Sequence, residues 1–155
     1  MRIILAFFTH GAMLAIGFAL GIYFLPILTA PPAPDSATLQ QQAAGAQYTA
    51  NFTRQLPGSD FLHWGEGKIS ISGDKIVHEG KLAPGPDYRL YLAPDFADHE
   101  DPFNAIKEQA IEIGSVKTFN GFVLDVPDGI DVSSYNSVII WCETFGEFIT
   151  AAKYR

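Results

Sequence analysis

The N-terminal segment constrains this chain more than any other feature, because it is an almost unbroken apolar run. Residues 3–34 contain no Asp, Glu, Lys or Arg, and the 26 residues 3–28 are nearly all hydrophobic. A helix needs about 20 apolar residues to cross a bilayer. The run therefore predicts a transmembrane helix, followed by a part of the chain with a different composition.

Two interpretations of this segment are open, a retained anchor and a cleaved signal peptide. A signal peptide has an apolar region of about 7–15 residues before a small-x-small cleavage site. This run is longer, and Leu28 stands at the first small position of the available Leu28-Thr29-Ala30 site. We therefore expect a retained anchor over residues 1–30.

The distribution of basic residues predicts the orientation of the anchor. Arg2 is the only basic residue near either end of the span, because the next one along the chain is Arg54. Basic residues flanking a membrane helix stay on the cytoplasmic side. We expect a single-pass protein of the inner (cytoplasmic) membrane, with the N-terminus inside and the C-terminal part periplasmic or extracellular.

The segment after the apolar run has the composition of a linker. Residues 31–47 contain three prolines and three consecutive glutamines, and Leu39 is their one apolar side chain larger than alanine. Such a segment buries too little apolar surface to offset the entropy of ordering its backbone. We expect a flexible tether over residues 31–51.

The exported part of the chain is strongly acidic. After residue 30 there are nine basic and 17 acidic residues, a formal net charge of −8. A surface of this charge is repelled by phosphate backbones. Nucleic acid is therefore excluded as a partner, and the membrane is the partner that the N-terminal helix indicates.

Residues 52–155 contain short segments that alternate with period two and are separated by turn residues, which is typical of antiparallel strands. Two hairpins are predicted, 68–72 with 75–79 around Gly73-Asp74 and 113–118 with 122–126 around Asn120-Gly121. Further strands are predicted at 88–92, 137–144 and 147–153, and a short helix is predicted within 101–110. We expect an all-β domain over 52–155, an antiparallel β-sandwich or barrel of seven to eight short strands.

The single cysteine, Cys142, can have several different chemical roles. One cysteine forms no internal disulfide, so the thiol is free, paired to another chain or bound to a ligand. Strand alternation predicts Val138 and Ile140 on the same face as Cys142, with Trp141 on the other face. A buried structural thiol and a reactive or ligating thiol both agree with this pattern.

No common catalytic motif accompanies this cysteine. The chain has no G-x-S-x-G, H-E-x-x-H, P-loop or G-x-G-x-x-G sequence, and its histidines lack the spacing of metal ligands. The acidic loop with Asp95, Asp98, Glu100 and Asp101 is a candidate site for a hard cation such as Ca²⁺. A solvated loop is the simpler interpretation, because the loop lacks the residue order of an EF-hand.

Three segments together resemble the DM-thirteen domain, a small all-β module described as an electron-transfer domain. They are Pro84-Gly-Pro-Asp-Tyr-Arg-Leu-Tyr-Leu92, Ile113-Gly-Ser-Val-Lys-Thr-Phe-Asn-Gly121 and the segment 127–142, which ends in Val138-Ile-Ile-Trp-Cys142. The resemblance extends over most of the exported part, and its last segment is the most specific. It identifies the chain as a bacterial, single-domain, membrane-anchored member of this family.

The resemblance implies a redox role, because Cys142 stands where the family carries the cysteine for which that role was proposed. Trp141 and Trp64 are then the candidate shell or electron path around the thiol. The chain has no C-x-x-C-H haem-attachment sequence, so a haem or metal at Cys142 is left open and no cofactor is encoded by a recognisable motif. The donor or acceptor of electrons would be another redox protein.

Two functions of different classes follow from these observations. The first is a membrane-anchored exported domain with an electron-transfer role centred on Cys142. The second is a non-catalytic β-sandwich that binds envelope glycans or proteins, in which Cys142 is purely structural and exposed aromatic side chains such as Trp64 bind the ligand. We expect an electron-transfer or binding module rather than a stand-alone enzyme, and the sequence leaves the question of enzymatic activity open.

Overall fold

Two antiparallel four-stranded sheets follow one long N-terminal helix in the computed structural model, which describes all residues, 1–155. The helices are α1 (Arg2–Thr29), α2 (Ser36–Ala43) and α3 (Glu100–Ile106). The strands are β1 (Tyr48–Phe52), β2 (Gly65–Ile71), β3 (Lys75–Leu82), β4 (Tyr88–Ala93), β5 (Ile111–Val116), β6 (Phe122–Asp125), β7 (Ser137–Cys142) and β8 (Glu147–Lys153). The predicted all-β fold with eight strands is confirmed.

The two sheets contribute to one hydrophobic core. The first sheet has the strand order β1-β2-β3-β6, and the second has the order β5-β4-β7-β8. Ile69 and Ile76 of the first sheet and Leu90 and Ile140 of the second are fully buried in the same cluster of side chains. This shared cluster is the core of a sandwich, since each sheet covers the apolar face of the other.

The first predicted hairpin is confirmed, and the second is wrong. β2 and β3 pair antiparallel around a turn in which the hydroxyl of Ser72 donates a hydrogen bond of 2.7 Å to Asp74. β5 pairs instead with β4, and β6 pairs with β3 of the other sheet. The chain does bend at Asn120, and Gly121 has a φ of 93°, but the bend carries the chain from one sheet to the other. Alternation specifies a strand and its faces, but leaves its partner to the tertiary structure.

The segment predicted to be a flexible tether contains a helix and most of a strand. The side chain of Asp35 accepts a hydrogen bond of 2.7 Å from the amide of Thr38 and so caps α2. Leu39 is only 6% exposed and lies against Gly121, where an added Cβ would come within 2.7 Å of the leucine methyl. β1 then pairs with β2 along its whole length. One well-placed leucine and one edge strand thus order a segment whose composition is that of a linker.

The alternation predicted for β7 is confirmed. Val138, Ile140 and Cys142 belong to the core between the sheets. Ile139 and Trp141 belong to a second, smaller cluster on the outer face of the second sheet, which Phe103 of α3 covers. β7 is buried on both faces because it lies in the interior of its sheet and has a helix behind it.

The N-terminal helix α1 is long and apolar enough to span a membrane. It has 28 residues, and an 18-residue stretch of it has a mean hydropathy of 2.1. No residue of that stretch is buried by the rest of the chain. Its apolar side chains therefore face outward, as a lipid environment requires.

Candidate functional site

Cys142 is the last residue of β7 and lies at one end of the sandwich core. It is 2% exposed. Its direct neighbour across the sheet is Tyr88, the first residue of β4, which is equally buried. Residues opposite each other in an antiparallel pair direct their side chains to the same face. The thiol and the phenol therefore meet at the same end of the core.

A cavity of about 260 Å³ between α1 and the β-domain is lined in part by Cys142. Its walls within the β-domain include Leu62, His63, Tyr88 and Phe145, and most of the lining is apolar. Cys142 is thus nearly inaccessible to solvent, but it borders a space large enough for a small molecule or reagent. This cavity is the candidate functional site.

The thiol at the end of the cavity is protonated at neutral pH. Burial raises the pKa of Cys142 above its ordinary value, and the nearby charge of Asp87 raises it further. Backbone amides, the strongest being that of Phe145, oppose this shift without reversing it. Because the thiolate is the reactive form of cysteine, Cys142 needs a proton acceptor before it reacts as a nucleophile.

Two side chains on the cavity wall can accept a proton, His63 and Glu147, and no sequence pattern singled out either of them. The Nδ1 of His63 lies 3.1 Å from the carboxylate of Asp60. The other Asp60 oxygen accepts hydrogen bonds from the amides of Leu62 and His63, and these contacts lower the pKa of Asp60 although burial opposes them. A carboxylate on Nδ1 leaves Nε2 as the basic nitrogen of the ring. The only sequence signal for the pair of Asp60 and His63 was its short spacing.

Tyr88 is held in place by the turn that precedes it. At Gly85, an added Cβ would overlap the ring of Tyr88, so the ring lies directly on the glycine backbone. Burial raises the pKa of the Tyr88 phenol above its ordinary value, and the neighbouring Cys142 adds to this shift. Tyr88 therefore stays neutral and provides a hydroxyl beside the thiol.

The two tryptophans predicted as a shell do not line this cavity. Trp141 lies on the opposite face of β7, where its ring centroid is 5.0 Å from that of Phe103. Trp64 lies beneath the guanidinium of Arg54, which is 3.3 Å from the ring centroid and also pairs with Glu66. One face of Trp64 is thus already occupied by a cation, so that face is not a free platform for a sugar.

Glu143 follows Cys142 in the chain but belongs to a separate polar network. It accepts a hydrogen bond of 2.5 Å from the hydroxyl of Tyr91 and pairs with Lys107 at 2.7 Å. Burial opposes ionisation of Glu143, but the contacts with Lys107 and Tyr91 outweigh it and lower the pKa of the carboxyl. Lys107 also lies 5.1 Å from the ring centroid of Trp141. This network lies on the outer face of the second sheet, on the opposite side of β7 from the thiol.

The acidic loop serves local structure. Asp98 lies 2.7 Å from Nδ1 of His99, and Glu100 accepts a hydrogen bond from the amide of Phe148. Asp95 contributes its backbone carbonyl, which accepts a hydrogen bond from Ser137, while Asp101 lies in the first turn of α3. The four carboxylates are not gathered into a group of three or more that could hold a metal ion.

The residues around Cys142 do not fit a metal or a haem held by this chain alone. No three His, Cys, Asp or Glu side chains converge anywhere in the chain. The cavity of about 260 Å³ is also smaller than the roughly 300–1,000 Å³ of sites for drug-sized ligands. A macrocycle such as haem therefore does not fit inside it.

The fold and site define a small β-sandwich domain with one buried cysteine at the end of an apolar cavity. The family model described as "Electron transfer DM13" matches residues 55–154. The chain therefore belongs to the DM13 family, as the resemblance of its three segments predicted. Comparisons with curated proteins and with solved structures found no match.

Proposed function

We propose that this protein is a membrane-anchored, exported electron-transfer domain whose redox group is the thiol of Cys142. The observation that carries the proposal is the cavity, which is lined in part by the only cysteine of the chain. Membership of a family described by electron transfer supports the same function. The thiol takes part in exchange with a redox partner, and the chain contributes no second cysteine.

The chemistry available to a single thiol is exchange with a disulfide. The thiolate of Cys142 attacks one sulfur of the partner disulfide, a mixed disulfide forms, and the second sulfur leaves as a thiolate that takes up a proton. His63 accepts the thiol proton in this proposal, because it borders the same cavity and its Nδ1 is engaged by Asp60. The apolar walls select a small disulfide or an extended partner segment.

The anchor in this proposal is α1, retained in the inner membrane with its N-terminus in the cytoplasm. Its length and hydropathy support a membrane span, and Arg2 supports the orientation. The intact mass of protein extracted from membranes tests the anchor, and we expect the full-length chain. A mature species beginning near Pro31 would instead identify a signal peptide.

Redox titration of the full-length protein in detergent tests the role of Cys142. Glutathione buffers of graded potential are equilibrated with wild type and with Cys142→Ser, and the mixed disulfide is quantified by intact mass. We expect a reversible adduct in wild type, its absence in Cys142→Ser, and slower formation in His63→Gln. An absorption spectrum of the same samples tests for a bound chromophore.

The alternative function predicts a different result. If the domain is a glycan or protein-binding module with a structural cysteine, native wild type forms no adduct until it unfolds. Wild type and Cys142→Ser would then differ only in stability. The guanidinium of Arg54 lies over one face of the Trp64 ring, which argues against binding of a sugar on that face.

A further inference from the structure

Exposed large apolar side chains of the β-domain are concentrated at one place. In the β-domain only four are exposed, Phe61 at 91%, Phe145 at 51%, Leu62 at 47% and Phe96 at 39%. Leu62 and Phe145 border the mouth of the Cys142 cavity, and Phe61 precedes Leu62 in the same loop. We call Phe61, Leu62 and Phe145 the apolar rim.

Two residues of the apolar rim, Leu62 and Phe145, face the C-terminal half of α1. Ala19, Ile22 and Tyr23 form the other wall of the Cys142 cavity. A neighbouring groove of about 450 Å³ lies between Phe145 and further α1 residues, including Phe18 and Pro26. The rim is therefore continuous with the surface of the helix that is apolar enough to lie in lipid.

The length of α1 sets the depth of the rim relative to a bilayer. At 1.5 Å per residue, its 28 residues extend about 42 Å. The hydrocarbon core is about 30 Å thick, so roughly eight residues project beyond it. With Arg2 at the inner boundary, these are the residues from Ile22 to Thr29, and Tyr23 lies at the level where aromatic rings are enriched. Side chains facing Ile22 and Tyr23 then lie at the outer surface of the hydrocarbon.

Basic side chains border the same place. A groove between the end of α1 and the β-domain is lined by Thr29, Arg89 and Lys117, and also by Asp87. Lipid phosphates lie at this level, just outside the hydrocarbon, and attract basic side chains. Arg89 is already paired with Asp87 and Glu112, at 3.1 and 3.0 Å, so Lys117 is the cation at this margin. The domain as a whole is acidic, so contact with the bilayer depends on apolar insertion.

We propose that the apolar rim is a membrane-contact surface, which holds the β-domain on the outer face of the bilayer with the mouth of the Cys142 cavity at the lipid boundary. The proposal rests on the anchor of the proposed function. It adds that the domain lies on the membrane rather than standing off it, so a reactant for Cys142 approaches through the interfacial layer.

Accessibility of spin labels in the full-length protein tests this contact. Phe145→Cys and Phe61→Cys are labelled in a Cys142→Ala background and reconstituted into vesicles of phosphatidylethanolamine and phosphatidylglycerol. Phe96→Cys is the matched aqueous control, because Phe96 follows the far end of β4, about 17 Å along the strand from Tyr88. Leu14→Cys, within α1, is the lipid control.

We expect labels at positions 145 and 61 to collide more with oxygen, which partitions into lipid, than with an aqueous nickel chelate. The label at position 96 should show the opposite preference. If labels 145 and 61 behave like label 96 while label 14 reports lipid, the contact is absent and the anchor stands. Protection of both rim labels from both reagents would indicate a protein cover, such as a second copy, and would also overturn the proposal.

Failure of the anchor has its own signature. Protein that does not float with the vesicles, or a label at position 14 that reports water, removes the anchor and the contact together. The same labels in the Cys142→Ser background provide a second set if Cys142→Ala folds poorly.

Discussion

Tyr88 and Cys142 stand directly opposite each other on adjacent antiparallel strands, and both side chains border the same cavity. This relationship makes the thiol part of both the core and the candidate site. Its surroundings are apolar enough to keep it protonated, and a cavity borders it. The stability and the reactivity of this position can therefore be separated by substitution.

Substitution of Cys142 should cost stability in a defined order. Cys142→Ala leaves a small cavity and should lower the free energy of unfolding by about 1 kcal/mol. Cys142→Ser should cost more, because it buries a hydroxyl among apolar side chains. Urea unfolding of the three proteins measures the difference. Equal stability of wild type and Cys142→Ser would show that water fills the end of the cavity.

Gly85→Ala should destabilise the domain, because the added Cβ overlaps the ring of Tyr88. Overpacking of this kind costs about 1–3 kcal/mol. Gly114→Ala is the matched control, since a Cβ there meets nothing within 4 Å. Combining Gly85→Ala with Tyr88→Leu should recover part of the loss in thermal unfolding. An equally stable Gly85→Ala would show that the Tyr88 ring moves freely.

The domain should lose stability on acidification because of His78. This histidine is fully buried between Phe52 and Phe122, and its Nε2 lies 3.1 Å from the carbonyl oxygen of Glu66. Burial lowers its pKa from 6.5 to about 4, the Glu66 contact opposing the shift. The unfolded chain therefore binds the proton first, so stability is full above pH 6.5 and falls as the pH drops towards 4.

The size of this pH effect follows from the shift in pKa. A difference of this magnitude corresponds to about 3 kcal/mol between neutral pH and pH 4. His78→Gln, which keeps a donor for the Glu66 carbonyl, should remove most of the dependence between pH 6.5 and 4.5. Urea unfolding across that range compares the two proteins. An unchanged slope in His78→Gln would assign the effect to carboxylates instead.

Leu39→Ala should release α2 from the sandwich. The leucine side chain is the buried residue of this helix, so its removal should cost about 2 kcal/mol or more. Gln41→Ala, on the exposed surface of the same helix, should change stability by less than about 0.5 kcal/mol. Amide hydrogen exchange should show loss of protection confined to α2. If Leu39→Ala does not change the free energy of unfolding, residues 31–47 act as a flexible tether after all.

Local periodicity was sufficient for most strands because it reflects burial of one or both faces. The faces of β7 follow directly from its alternation, and Cys142 points to the core as predicted. The second hairpin was predicted wrongly because Asn120-Gly121 specifies a turn but no partner strand. α2 and β1 were missed because they are held in place by contacts with other parts of the chain. α2 packs against Gly121 through Leu39, and β1 pairs with β2.

The sequence by itself determined a membrane-length apolar helix, an acidic β-domain and a cysteine directed to its core, because hydrophobicity and alternation are local properties. Only the tertiary structure decided that β6 joins β3, that His63 and Tyr88 share a cavity with Cys142, and that Trp141 lies on the other face. These relationships join residues far apart in the chain. They arise from closure of the two sheets over one core, for which no short stretch of sequence carries a signal.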